Sequence, residues 1–463
     1  MGGRDWNSFA FHVPCFSLLA TRYSFFDMYL SDMSHRVVIT GTGWVTPLGD
    51  DIESCWSRLL RGESGVRPTT HFDAQTFPSQ FSAEVKDFQL SRFVDIDSSK
   101  VEHMRPNSRF LLGAAAQAWK QAKLDDLSER QRQRVGIYVG CGEGTLDFNA
   151  FMANLCAAWS AQDQELDMHK WVASAATQMH AKRELEQEPN MPAAHVAAYF
   201  GIYGPAFNCL TACAASTQAI GEATQLVRRG EVDLVVSGGA HSMIHPLGVT
   251  GFNRLTALSQ RNDDPSGASR PFDRKRDGFV LGEGAGVVIL ESLEMAQRRG
   301  VPILAEVVGY GSSADAFRIT DTHPEGRGAV VSMEQALQDA ELTVADIDYI
   351  SAHGTGTKEN DSTETLAIKK MFGERADRVP ISSIKSMMGH LIAAAGVVEL
   401  ITCVLAIRDR KIPPTVNYQN EDPECDLDYV PNRARNHQVD VALSNSFGFG
   451  GQNDTLIVRK WSE

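Results

Sequence analysis

The sequence predicts an α/β fold of layered helices and strands, built from two related halves. Three observations carry that reading. Short runs rich in β-branched residues alternate with helical stretches along the chain. A pattern of acid, branched residue, Asp, apolar run, Ser and small residues occurs twice, as EVDLVVSGG (231–239) and DIDYISAHG (346–354). A glycine-rich turn leading into a strand also occurs twice, as FVLGEGAGVVIL (279–290) and FGFGGQNDTLIV (447–458), and each reads as a hairpin.

The elements follow in order. HRVVITG (35–41) is the first well-formed strand, followed by a helix near DIESCWSRLLRG (51–62). SRFLLGAAAQAWKQA (108–122) has helical periodicity, and RVGIYVG (134–140) reads as a buried strand. The segment 152–190 is polar and helix-prone, and its charge density predicts a solvated or partner-facing insert. The two echoing pairs are separated by different lengths of chain, so they share order but not register. They divide the chain into halves of 33–297 and 298–463, joined near RRGVPILAEVVGYG (298–311). Residues 1–32 contain FAFHVPCFSLLA, an apolar stretch broken by His12 and Pro14. A weak n-region and no small-residue cleavage site make it a dispensable extension or an upstream start rather than a signal peptide.

A chain of 463 residues is long enough for two domains or one large α/β unit, with an ample core. The net charge of −14 argues against general nucleic-acid binding but leaves room for a local basic patch facing an acidic protein. Eight cysteines without a Cys-x-x-Cys pair read as a reduced, cytoplasmic protein. No apolar run reaches the roughly 18 residues of a membrane span, so no membrane insertion is expected. His241 and His245 in HSMIH have a metal-like spacing but no neighbouring cysteine or acid, and no metal site is expected. Neither GTGWVTPLG nor DGFVLGEGAG has the glycine spacing of a nucleotide loop opening a helix.

Four stretches place reactive or permissive residues after apparent strands, where α/β proteins put their sites. In TACAAS, Cys213 falls at the start of an amphipathic helix, where the dipole favours a thiolate. Small neighbours leave room for a substrate, while Cys209 sits upstream on a strand. From this stretch alone, Cys213 is either a nucleophile or a buried core thiol. AHGTGT (352–357) presents His353 at a strand end, suited to proton donation or acceptance. SSIKSMMGHLIAAAG (382–396) carries Lys385, then His390 at the apparent start of a long helix containing Glu399. Lys385 and Glu399 are either a structural pair or support for a histidine. NSFGFGGQN (445–453) is too glycine-rich for a regular strand and lets backbone amides approach a ligand. One cysteine with two histidines also fits a Cys-His hydrolase, although no acidic residue stands beside either histidine to orient it.

Together with VVITGTGWVTPLG, LGVTGFNRLTALS, ASRPFDRKRDGFVLGEGAG and PPTVNY, these stretches resemble the elongating β-ketoacyl-acyl-carrier-protein synthases, condensing enzymes of the thiolase superfamily. The resemblance runs from about residue 35 to 461. It implies a thiolase-like five-layered αβαβα fold of two pseudo-equivalent halves, usually a homodimer. It implies Cys213 as the acyl-accepting nucleophile, His353 and His390 as the pair acting on malonyl-carrier protein, and Lys385 and Glu399 as supporting charges. Phe447 matches the gating phenylalanine whose amide, with that of Cys213, forms the oxyanion hole. Thr355 and Thr357 match hydroxyls near the phosphopantetheine arm, and Phe252 an aromatic near the acyl pocket. No resident cofactor is implied, because 4'-phosphopantetheine arrives on the acyl carrier protein.

The expected function is decarboxylative condensation of an acyl group on Cys213 with malonyl-carrier protein, in fatty-acid or related lipid synthesis. A polyketide-type ketosynthase is the alternative, and a non-catalytic chain-length partner subunit a further one; such subunits usually lack the cysteine. The sequence departs from the family in three places. The charged insert replaces an apolar, proline-containing segment. The basic segment expected to meet carrier protein is rearranged, keeping Lys100, Arg105 and Arg109. Gln452 stands where threonine is common.

Overall fold

The apolar and small residues of VVITGTGWV form β1 (Val37–Val45), which is buried along its whole length. Such a run belongs to a sheet covered on both faces. The computed structural model, which describes residues 34–142, 146–318 and 322–462, places β1 near the middle of a ten-stranded sheet. The N-terminal extension lies outside the described residues.

The first half adds β2 (Val135–Cys141), β3 (Ala206–Cys209), β4 (Leu234–His241) and β5 (Gly284–Ser292). The second half has β6 (Ala305–Ala314), β7 (Tyr349–Ser351), β8 (Ile381–Ser382), β9 (Val441–Gly448) and β10 (Gln452–Arg459). The order is β8-β7-β9-β10-β6-β1-β5-β4-β2-β3. The halves join where β1 and β6 pair antiparallel, with Val37 opposite Val307. Outward from that seam each half runs first, fifth, fourth, second and third strand. In both, the first and fourth strands flank the fifth antiparallel, and the second lies parallel between the fourth and third.

The helices complete the layers. In the first half, α1 (Pro106–Gln121) and α2 (Met191–Phe200) cover the outer face. α3 (Ala215–Arg228) follows β3, and α4 (Pro246–Arg254) follows β4. In the second half, α5 (Arg327–Asp339) and α6 (Lys358–Phe372) lie outside, and α7 (Ala395–Asp409) follows β8. α3 and α7 touch each other and strands of both halves, so they form the middle layer of an αβαβα stack. This explains why α7 is buried from Ala395 to Ile407.

The expected two-half α/β architecture is present, but the sequence echoes map onto it unevenly. EVDLVVSGG forms β4, the fourth strand of its half, whereas DIDYISAHG forms β7, a second strand; the counterpart of β4 is β9. β4 and β7 look alike because both are fully buried strands with a parallel neighbour, under a similar packing constraint. The second echo holds in position, since β5 and β10 are both fifth strands. Only the later copy is a hairpin, turning through residues 449–451 between β9 and β10. NSFGFGG is also more regular than expected, with Asn445 to Gly448 completing β9.

The insert folds as helices Phe148–Ala158, Met168–Gln178 and Ala181–Leu185 with a small hairpin. It lies at the surface as expected, yet it also exposes Trp159, Met168, Val172 and Leu185, which its charge density did not foretell.

Each third strand enters its middle-layer helix through a 3-10 turn, Ala212–Ala214 before α3 and Ile392–Ala394 before α7. Both turns open on a non-glycine residue with positive φ, 47° at Ala212 and 40° at Ile392. The first turn rests on β2, where a Cβ at Gly140 would lie 2.2 Å from the Ala215 carbonyl carbon. Backbone cannot yield as a side chain does. Gly140→Ala is therefore expected to cost at least the upper end of the about 1–3 kcal/mol typical of overpacking. Gly251→Ala, where nothing lies within 4 Å of the added methyl, is the control and should be neutral or stabilising. Urea unfolding of both variants checks this.

Candidate active site

The two turns face each other, and the chemistry-bearing residues collect between them. Cys213 sits in the first turn and is 4% exposed. His353 follows β7, and His390 precedes the second turn; each is buried. One ligand atom from each of the three lies within 4.8 Å of the others. The histidine rings are 5.4 Å apart and nearly perpendicular. All three line a cavity of about 400 Å³ together with Thr355, Thr357 and Phe447.

Hydrogen bonds set the tautomers. The Ile392 N–H donates to His390 Nδ1 at 3.2 Å, which leaves the ring proton on Nε2. The Lys385 ammonium donates to the His353 carbonyl at 2.6 Å, to His353 Nδ1 at 3.4 Å and to Glu399. Its three protons thus have three acceptors, and His353 also keeps its proton on Nε2. Burial, reinforced by Lys385, holds both imidazoles well below the usual histidine value. A thiol and two imidazoles at this distance also have the make-up of a metal site. However, both Nε2 atoms carry protons and the Nδ1 atoms are engaged, so the pair is arranged to donate to an anion rather than to ligate a cation.

The amides at the helix start favour a thiolate at Cys213, but burial opposes them and is the larger effect. Burial pushes its thiol up to about 12, outweighing the opposing effects of Lys385 and of a hydrogen bond from the Phe449 amide. Cys209 ends β3, and its thiol donates to the Ala215 carbonyl at 3.0 Å.

The amide that reaches the sulfur corrects the expectation for Phe447. Phe447 lies within β9 opposite Asn453, with its ring 5.6 Å from that of His353. Phe449, just past the end of the strand, is the residue whose N–H faces Cys213. Thr355 and Thr357 share a hydroxyl–hydroxyl hydrogen bond of 2.9 Å, and Thr357 also caps α6. Phe252 is on α4 and lines a separate cavity, packing edge-on against Phe279, which in turn packs edge-on against His390.

Two residues of the site escaped the sequence reading. Glu364 accepts the N–H groups of His353 and Gly354 at 2.9 and 2.8 Å, and Asp361 accepts those of Thr355 and Gly356 at 3.0 and 3.2 Å. Both acids belong to α6 and are buried, and burial raises Glu364 to about 7. Their signal was two acids three apart, on one face of the helix after AHGTGT. The expected basic segment is also spent differently. Arg105 lies 3.5 Å from Asp147 and Arg109 donates to the Val101 carbonyl, leaving Lys100 exposed.

Comparison with known proteins fits this geometry. Residues 34–296 match the N-terminal domain of β-ketoacyl synthase, and residues 304–419 match its C-terminal domain. The chain belongs to the β-ketoacyl synthase family. It is 41% identical to 3-oxoacyl-[acyl-carrier-protein] synthase 2 of Coxiella burnetii over 92% of this chain and 98% of that protein. It is 43% identical to the Synechocystis protein of the same name, with the same coverage. Among solved structures it resembles a β-ketoacyl synthase from Burkholderia phymatum, with a TM-score of 0.83 and 32% identity over 92% of this chain and all of that one. It also resembles the ishigamide ketosynthase/chain length factor, with a TM-score of 0.82 and 34% identity over 93% of this chain and all of that one. The fold is therefore the thiolase-like ketosynthase fold.

In this β-ketoacyl synthase, the position of the Cys213 thiol near 12 has a kinetic signature. Iodoacetamide labelling of Cys213, read by peptide mass spectrometry, should rise about tenfold per pH unit from pH 7 to 10, as the thiolate fraction does. A plateau below pH 9 would contradict the burial argument.

Proposed function

We propose that this β-ketoacyl synthase condenses an acyl group, held as a thioester on Cys213, with malonyl-carrier protein to give a 3-oxoacyl-carrier protein in fatty-acid or related lipid synthesis. The observation that carries this is the convergence of a buried thiol, two neutral imidazoles presenting Nε2–H and a backbone amide on one cavity.

In the first step, the Cys213 sulfur attacks the carbonyl of an acyl thioester. The N–H groups of Cys213 and Phe449 hold the developing oxyanion. The carrier thiol leaves with the proton that Cys213 gave up, so no net charge remains on the reacting groups. In the second step, loss of carbon dioxide from the malonyl thioester places enolate charge on the thioester oxygen. The Nε2–H groups of His353 and His390 stabilise it without first taking up a proton. The carbanion then attacks the acyl-Cys213 carbonyl, and the Cys213 sulfur departs as a thiolate and takes up one proton from solvent. Lys385 and Glu399 hold His353 in place. Thr355 and Thr357 offer hydroxyls to the phosphopantetheine arm, and Phe252 borders the acyl chain. The reaction needs no resident cofactor or metal, since the only prosthetic arm comes with the carrier protein.

Carrier protein is the proposed partner, with a second copy of this chain as the dimer partner. The sheet ends at β3, an edge with Phe207 exposed and flanked by exposed Tyr203 and Leu210, and such an edge is a template for pairing. Among the described residues no helix is long and apolar enough to cross a membrane, and the seven described cysteines are free, which supports a cytoplasmic enzyme. A polyketide-type reading is kept because one structural relative, 32% identical with a TM-score of 0.81 over 93% of this chain and all of that one, is described as a ketosynthase bound to a hexaketide in complex with its acyl-carrier protein.

The division of labour is testable. His353→Ala should still acylate Cys213 but lose decarboxylation of malonyl-carrier protein by about 10²–10³-fold, the usual cost of one oxyanion donor. Intact-protein mass spectrometry and release of labelled carbon dioxide separate the two steps. Equal loss of both would refute the assignment.

A further inference from the structure

The cavity bordered by Phe252 has a volume of about 730 Å³, within the roughly 300–1,000 Å³ of ligand pockets. It adjoins the Cys213 cavity through Leu255, which lines both. Its walls are mostly apolar and include Met243, Leu247 and Phe252. Two polar side chains interrupt them: His245, the residue before α4, and Gln187, from the insert. His245 Nδ1 accepts the Gly248 N–H at 3.2 Å, so its proton is on Nε2. Burial lowers its pKa, which keeps the ring neutral. Among the described residues, nothing accepts from that Nε2–H. The Gln187 amide nitrogen donates to Glu184, and among the described residues no hydrogen bond reaches its carbonyl oxygen.

A wall meant only for a saturated chain has no use for such groups, because a bound methylene would bury each of them unsatisfied. We infer that His245 and Gln187 make this pocket selective for acyl chains carrying a hydrogen-bonding oxygen, a ketone or hydroxyl, in their distal half. His245 donates to that oxygen, and Gln187 accepts from it when it is a hydroxyl. The inference rests on Cys213 being the acylated residue, since the chain must enter from there past Leu255. It gives the insert a role in choosing the substrate.

The test uses small thioesters, so that no cognate carrier is needed: decanoyl-N-acetylcysteamine and its analogue with one ketone in the distal half. Acylation of Cys213 in the full chain is followed by intact-protein and peptide mass spectrometry. The wild type should acylate with the keto chain about tenfold faster, in keeping with one hydrogen bond gained and one buried donor satisfied. His245→Phe should remove that preference, bringing the two chains to equal rates. Because His245 also caps α4, His245→Asn retains an acceptor for the Gly248 N–H while withdrawing the reach, and it should lose the preference in the same way. Gln187→Leu should lower a preference for the distal hydroxyl analogue more than for the ketone. Equal wild-type rates for the two chains, or a preference that survives both His245 variants, would overturn the inference. No acylation of Cys213 by either thioester would instead overturn the functional reading beneath it.

Discussion

The site depends on one ammonium group held where water does not reach. Lys385 is buried in the second half, and its protons tie together the loop after β7, the short helix that carries it and α7. Removing such a charge from water costs several kcal/mol and is repaid only when every proton finds a partner. Here each one does. Glu399 supplies the opposing charge, and burial raises its carboxyl to about 7 despite the neighbouring lysine. The ion pair is therefore costly to keep, and its return is specificity: it selects one tautomer and one orientation of His353. Glu364 performs the matching task for the backbone of the same loop.

Burial also decides the state of the nucleophile. The nearby ammonium and the Phe449 amide favour a thiolate, but desolvation outweighs them. With both imidazoles neutral and the sulfur protonated, the three reacting side chains carry no charge at rest. Charge develops only as bonds change, and it develops against donors already in position. A preorganised site gains from this, since its dipoles need not reorganise as the charge develops.

The contributors to the site were more legible in the sequence than their mutual arrangement. Cys213, His353, His390, Lys385 and Glu399 each stand in a short motif whose residue types suggest the chemistry, and they converge in space. What local sequence could not settle was decided by register and by the other half of the chain. Phe447 and Phe449 are equivalent in composition, and only the end of the β9 ladder shows which amide is free to face the sulfur. The thiolate expectation counted the helix dipole and missed the desolvation imposed by Ile244, Val249, Leu258, Phe279, Leu281 and Ile392, none of which belongs to the TACAAS stretch. The echo between β4 and β7 reflected shared burial rather than shared place in the topology. Arg105 looked available until the fold brought Asp147, just ahead of the insert, against it.

The paired strained turns have a consequence for the electric field. Ala393 occupies in the second turn the place that Cys213 holds in the first, so the strained backbone is not reserved for a nucleophile. The two turns share an orientation: they bring the starts of α3 and α7 together, with the Val397 N–H donating to Ser216 Oγ and Gly396 against Thr217. Each helix start carries about half a positive charge. In a chain of net charge −14, the duplicated architecture thus builds a small electropositive well at its centre. A carboxylated thioester, repelled by the molecule at large, meets an attractive potential once inside, and loses that attraction when its carboxylate leaves as carbon dioxide.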